Sequence, residues 1–176
     1  MRFLKYFFYL IAGLFIIFLA MGFVHPTINY GHEITVNKPL KEAWMVQQDE
    51  TKLGQWLAGF KSIELISGEA GKVGSKYKVV VKPSPEEPDF EMIETIVSLK
   101  DFDHIGLSFD SDMMVFDQTT TFSENNGQTT IKTDSSVKGK GIIMRSMFAA
   151  MEIFGGSFKA QEVKNIEALK KVIEEN

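Results

Sequence analysis

No cysteine occurs anywhere in the chain. That excludes disulfide staples, thiolate catalysis, cysteine-based zinc sites and a thioether lipid anchor. It leaves the compartment open, since a chain without thiols suits reducing and oxidising surroundings alike. Histidine is scarce too. The three histidines are His25, His32 and His104, and none has metal-ligand spacing to another. They read as surface or edge residues. The H-E-x-x-H, G-x-S-x-G, Walker and dinucleotide-glycine patterns are all missing. Gly68 to Gly74 is rich in glycine, but it joins two predicted strands and does not open a helix, so it is no phosphate cradle. No motif calls for a cofactor. A basic excess is also lacking. Only Arg2 and Lys5 of the 19 basic residues precede the first acidic one, which leaves 17 basic against 23 acidic beyond them, a balance of −6. An acidic domain without a basic stripe argues against nucleic acid as a partner, because phosphate neutralisation needs clustered Lys and Arg.

What the chain has is one long apolar run at its start. From Phe3 to Val24 the single charge is Lys5. About 20 apolar residues at 1.5 Å rise cross a hydrocarbon core of about 30 Å. Tyr6 and Tyr9 lie near one end, where amphipathic rings favour the interface, and Lys5 can snorkel from that end. His25-Pro26 closes the helix at the other end. Residues 1–26 therefore read as a transmembrane anchor. The alternative is a cleaved signal peptide with its apolar region over Leu10 to Leu19 and a small-x-small site at Ala20-Met21-Gly22. Arg2 and Lys5 favour a cytoplasmic N-terminus and an extracytoplasmic domain, although Lys38 and Lys41 lie near the other end.

About 150 residues follow, enough for a full core without staples. Tyr30 to Val36 alternates and ends in β-branched residues, which predicts a strand. Asn37 is the expected N-cap of a helix carrying Ala43, Trp44 and Val46 on one side. Asp49 to Leu57 predicts a second short helix, broken around Gly54. Strands are expected at Phe60 to Ser67, Tyr77 to Lys82, Phe90 to Leu99, His104 to Phe109, Met113 to Phe122 and Gln128 to Val137. The three prolines of Lys82 to Pro88 demand a loop. Asn126-Gly127 is a strong hairpin signal. From Gly141, apolar residues recur at helical steps through Met144, Phe148, Met151, Phe154, Phe158, Ile166, Leu169 and Ile173. Gly155-Gly156 should bend or loosen that helix. The order predicts an α+β fold, an antiparallel meander with the last helix across one face. No repeat or second domain interrupts residues 30–176.

This order of elements resembles the START-like, helix-grip superfamily (SRPBCC), which includes Bet v 1-like proteins and the polyketide cyclase/dehydrase-like group. The likeness is carried by the first strand with Pro39-Leu40-Lys41-Glu42-Ala43-Trp44, by Gln55-Trp56-Leu57, and by Gly71-Lys72-Val73-Gly74-Ser75 before a strand. The Asn126-Gly127-Gln128-Thr129 hairpin and the C-terminal helix complete it, over roughly His32 to Asn176. The resemblance implies a curved antiparallel sheet gripping a long C-terminal helix, with a cavity between them. It further implies a hydrophobic small-molecule ligand, or, in a minority of members, cyclase, hydrolase or dehydratase chemistry.

Candidate lining residues follow from strand and helix periodicity. Met114, Phe116, Gln118, Thr120 and Phe122 form the more apolar face of their strand. Gln118 and Thr120 then become polar handles in a greasy pocket, the usual design of a ligand site. The competing reading is an ordinary core face. Met144, Met147, Phe148, Met151 and Phe154 are expected to form the opposite wall, where flexible methionines suit variable apolar ligands; plain core is the alternative there as well. Trp56 either closes one end of the cavity or anchors a helix, and Tyr77 and Met92 join the lining. Glu91 and Glu94 sit an odd step apart and face opposite sides. If Met92 faces inward so does Glu94, a weak candidate acid or base, since a buried carboxyl has a raised pKa. The leading expectation is a membrane-tethered binding module for a lipid-like or other hydrophobic molecule. The alternatives are a cyclase- or hydrolase-type enzyme using cavity polar residues, and an interaction domain whose interior is filled by its own side chains.

Overall fold

The computed structural model describes residues 2–82, 84 and 86–176. Helix α1 (Arg2–Val24) precedes β1 (Ile28–Val36), α2 (Leu40–Gln47), a 3-10 turn (Glu50–Lys52) and α3 (Leu53–Trp56). Strands β2 (Phe60–Ser67), β3 (Lys76–Val81), β4 (Phe90–Lys100), β5 (His104–Asp110), β6 (Met114–Asn125) and β7 (Gln128–Gly139) follow. Helices α4 (Gly141–Gly155) and α5 (Ser157–Glu175) end the chain. The predicted loop over residues 82–88 includes Pro83 and Pro85, which lie outside the described residues.

All seven strands form one antiparallel sheet in the order β1-β7-β6-β5-β4-β3-β2. The meander from β2 to β7 is what short turns between successive strands produce, and β1 closes the far edge against β7. The α2–α3 segment crosses from one edge strand to the other. Register shifts at Phe60/Ser62, Leu65/Ser67 and Ile96/Ser98 are bulges, which bend the strands they interrupt.

The inner face follows the period of two. Ile28, Ile34 and Val36 on β1 and Thr129, Ile131, Thr133, Ser135 and Val137 on β7 are buried. The main core joins Ile34, Val36 and Ile131 to Trp44 of α2 and to Ile166, Leu169, Val172 and Ile173 of α5. A second cluster gathers Ile28, Val137 and Phe148 with Tyr30, Met114, Phe116, Met144 and Phe158. A third sits on the other half of the sheet, with Tyr77, Val79 and Ile96 surrounded by Ile63, Val81, Met92, Leu99, Leu107 and Phe109.

Several local expectations change. The first strand starts at Ile28, because pairing with β7 begins at Ile28↔Val137. Asn37 is not the cap of α2; Pro39 occupies that position without a side-chain bond. The Asn37 backbone and side-chain nitrogens instead donate to Glu174 Oε1 at 3.2 and 3.3 Å, tying the end of β1 to the end of α5. The second short helix is a 3-10 turn capped by Asp49, followed by one α turn. The C-terminal helical run is two helices. Gly156 adopts φ +57, a left-handed conformation that ends α4 and redirects the chain into α5. The helix gripped by the sheet is α5, which lies along β1 and against α2 and α3, whereas α4 packs chiefly on α1.

Helix α1 is long and apolar enough to cross a membrane by length and composition. Most of its surface is uncovered, and Gly22 is its one buried residue among those described.

Candidate functional site

The inner face of β3 to β6 is lined by Tyr77, Val79 and Val81, by Met92, Glu94 and Ile96, by Leu107 and Phe109, and by Phe116, Gln118, Thr120 and Phe122. The cross-strand register brings Tyr77, Glu94 and Phe109 side by side. Phe109 stacks in turn on Phe116 at 5.3 Å. Helix α5 keeps mainly to the β1 side, so this half of the face has less helix over it. Met92, Glu94, Leu107, Phe109, Phe116 and Gln118 point inward yet are only half-buried. The protein's own side chains therefore leave this mainly apolar face partly uncovered.

Two polar groups stand out in these surroundings. Glu94 has its carboxyl pKa pushed up to about 7, first by burial and then by the charge of Glu50. Its neighbour Glu91 points outward and pairs with Lys78 at 2.9 Å, as the odd step between the two requires. Trp56 packs against the main core, as Leu99 and Leu107 do. Its Nε1 is buried and has no hydrogen-bond partner among the described residues.

A polar network crosses the interior on the other half. Gln118 Nε2 donates to both carboxylate oxygens of Glu162 at 3.1 Å and sits 3.1 Å from Ser135 Oγ. Ser135 Oγ donates to Glu162 Oε1 at 3.1 Å. Glu162, on α5, is 6 % exposed, and no Lys or Arg pairs with it among the described residues. Tyr30 stacks between Phe116 and Phe158. Burial pushes its phenol pKa far up, and the charges of Glu162 and Glu152 add to that.

The expected lining residues are thus distributed unevenly. Tyr77 is buried, and its hydroxyl accepts from the Gly71 amide at 2.8 Å, which turns it toward the β2–β3 loop. Met92 and Phe116 are half-buried on the inner face. Thr120 is buried in the sheet, whereas Gln118 is committed to Glu162. Met144 and Phe148 pack inward on the Tyr30–Phe116 cluster. Met151 does not join them: it is exposed, like Met147 and Phe154, because the break at Gly156 and the packing of α4 on α1 turn that side of the helix outward. Of the histidines, His32 Nε2 contacts Glu167 at 3.2 Å and His104 Nδ1 contacts Asp103 at 2.6 Å. The His104 bond, chiefly, holds the Asp103 carboxyl below its ordinary pKa.

Sequence reasoning misses Glu162, although a signal is present. Glu162 lies four and seven residues before Ile166 and Leu169, on the apolar stripe of α5. A carboxylate at a stripe position implies a polar partner opposite, and Gln118 is that partner.

A shallow depression of about 360 Å³, open to solvent, lies across β1, β7, β6, β5 and β4; Asn29, Asp117, Thr119, Asp134 and Ser136 line it together with Tyr30, Val97, Leu107, Gln118 and Ser135. It shares Leu107 and Gln118 with the inner face that Met92 and Phe109 also line.

No family model matches the sequence, and no curated protein matches it. Solved structures do. A conserved protein from Geobacillus kaustophilus superposes with a TM-score of 0.68 at 18% identity, covering 84% of this chain and 96% of its own. Ara h 8.0201, of the Bet v 1 family, gives 0.61 at 15% identity over 85% and 99%. The di-domain aromatase/cyclase BexL gives 0.59 at 12% identity over 85% of this chain and 50% of its own.

Proposed function

We propose that this chain, which has the Bet v 1-like helix-grip fold, is a membrane-tethered module that holds a lipid-like or other hydrophobic small molecule between its sheet and α5. The observation that carries the reading is the half-buried apolar surface of Met92, Leu107, Phe109 and Phe116 with few polar groups set into it. That combination of broad apolar contact and sparse polar handles is how small-molecule sites achieve both affinity and orientation. The Glu94 carboxyl would orient a ligand with one polar end. Helix α1 would hold the domain beside a bilayer, where such molecules concentrate.

The test is native mass spectrometry of the full chain released from detergent micelles. A bound mass beyond protein and detergent, lost on denaturation, is expected. Bare protein across preparations would remove the reading.

A second reading rests on Glu94 alone. A carboxyl with a pKa near 7 is suited to act as general acid or base at neutral pH. On this reading the domain turns over the molecule it holds, as a cyclase or hydrolase would. Glu94→Gln would then abolish conversion of the extracted compound while leaving its binding intact; equal conversion by the variant would exclude the carboxyl from chemistry.

A further inference from the structure

Helix α4 has three apolar faces, and the protein covers only two of them. Met144 and Phe148 pack inward on the Ile28–Val137 cluster. Ser146 packs on α1: an added Cβ on Gly22 would sit 2.6 Å from the Ser146 backbone nitrogen. The Ser146 hydroxyl lies 3.3 Å from the Leu19 carbonyl while also bonding Ile142 within its own helix. A small residue at a helix crossing permits this kind of backbone approach. The third face carries Ile143, Met147, Met151 and Phe154, spaced by four, four and three residues, and all are exposed. Phe154 is 83 % exposed and Ile143 61 %. The two charged side chains of α4 avoid this face. Arg145 Nε donates to the Gly139 carbonyl, and Glu152 accepts from the Phe158 amide.

We infer that this outward face of α4 is a lipid-contacting surface, embedded among the acyl chains of the same bilayer that α1 enters. Continuity carries the argument. The half-buried residues of α1 in its last two turns, Phe18, Leu19 and Met21, flank Gly22, where α4 crosses. Phe15, Ile16, Phe23 and Val24 beside them are exposed in the same way as the α4 stripe. A helix in backbone contact with the end of a spanning helix shares its depth, and its uncovered apolar side therefore meets the same medium. An apolar face on a helix with few charges is what an interfacial helix presents to lipid. The inner face of α4 is part of the domain's core, so the end of the interior lined by Met144 and Phe148 would abut the bilayer directly.

The inference rests on the tether reading, and the test separates the two. The chain has no native cysteine, so single cysteines can be placed at Ile16, Met151, Phe154 and Ser123 of the full chain. Each carries an environment-sensitive fluorophore and is reconstituted into phosphatidylcholine vesicles containing a fraction of brominated acyl chains. At Met151 and Phe154, as at Ile16, loss of about half or more of the emission is expected for a face buried roughly 5–10 Å below the headgroup boundary. The Ser123 position, on the outer side of the sheet, should keep its emission. Quenching at Ile16 without quenching at Met151 and Phe154 would overturn the inference while leaving the tether in place, since the α4 face would then lie outside the acyl chains. No quenching at Ile16 would remove the tether and the inference together.

Discussion

Gln118 Nε2 lies 3.1 Å from both carboxylate oxygens of Glu162, joining the middle of the sheet to the helix it grips. The pair replaces a cation with a neutral donor, supplemented by Ser135. Removing the donor leaves a buried carboxylate with fewer partners, which costs about 1–3 kcal/mol. Gln118→Leu should therefore lower the urea midpoint of the full chain in detergent. The double variant Gln118→Leu/Glu162→Leu should recover much of the loss, since removing both partners of a buried pair is far milder than removing one.

Glu94 makes stability depend on pH in a defined direction. Its folded pKa of about 7 lies above the ordinary value of 4.5. Between those values the unfolded chain releases the proton and the folded chain keeps it, so the folded state binds more protons. The contribution is fully present below about pH 4.5, declines as pH rises, and is gone above about pH 7. The upper limit is about 3 kcal/mol. Glu94→Gln should flatten that slope in thermal unfolding followed across pH 4 to 8, and an unchanged slope would show that the carboxyl is solvated.

Gly156 has φ +57 and no atom near its missing Cβ. Gly156→Ala is therefore opposed by backbone strain alone, roughly 1–2 kcal/mol. The melting temperature should drop accordingly, with exchange of the adjoining ends of α4 and α5 rising first in hydrogen-exchange mass spectrometry.

Gly22 permits the close crossing of α1 and α4. Gly22→Leu should push the helices apart and raise amide exchange over Gly141–Gly155, leaving Ser157–Glu175 protected by its own packing on β1 and α2. Equal exchange in both helices would show that the crossing does not hold α4.

The sheet is largely legible in the sequence because strands such as β6 and β7 alternate and the turns between strands are marked. The meander, the Asn126-Gly127 hairpin and the inward set Phe116, Gln118, Thr120 and Phe122 all follow from period two. Helix ends are less legible. Asn37 has the chemistry of a cap, but its side chain is drawn to Glu174 and Gln128, contacts 137 and 91 residues away in sequence that no local rule anticipates. The outward side of α4 reads as a cavity wall in the sequence because Met147, Met151 and Phe154 continue an apolar periodicity. Periodicity shows that a face is apolar and leaves open what covers it. The third face of α4 is visible only once Gly156 divides the helix and α1 occupies one side.

Met92 provides the most direct test of whether the interior holds a hydrophobic molecule. It points into the partly uncovered apolar face, away from α1 and α4. Full-length wild type and Met92→Trp, purified in the same detergent, should be extracted with organic solvent and compared by mass spectrometry. An apolar compound near one equivalent in the wild type and strongly depleted in the larger-side-chain variant, with the two proteins equally folded by circular dichroism, is the expected result. Equal amounts of every extracted species from both proteins would mean that nothing is held there, and the account of a ligand between sheet and helix would be wrong.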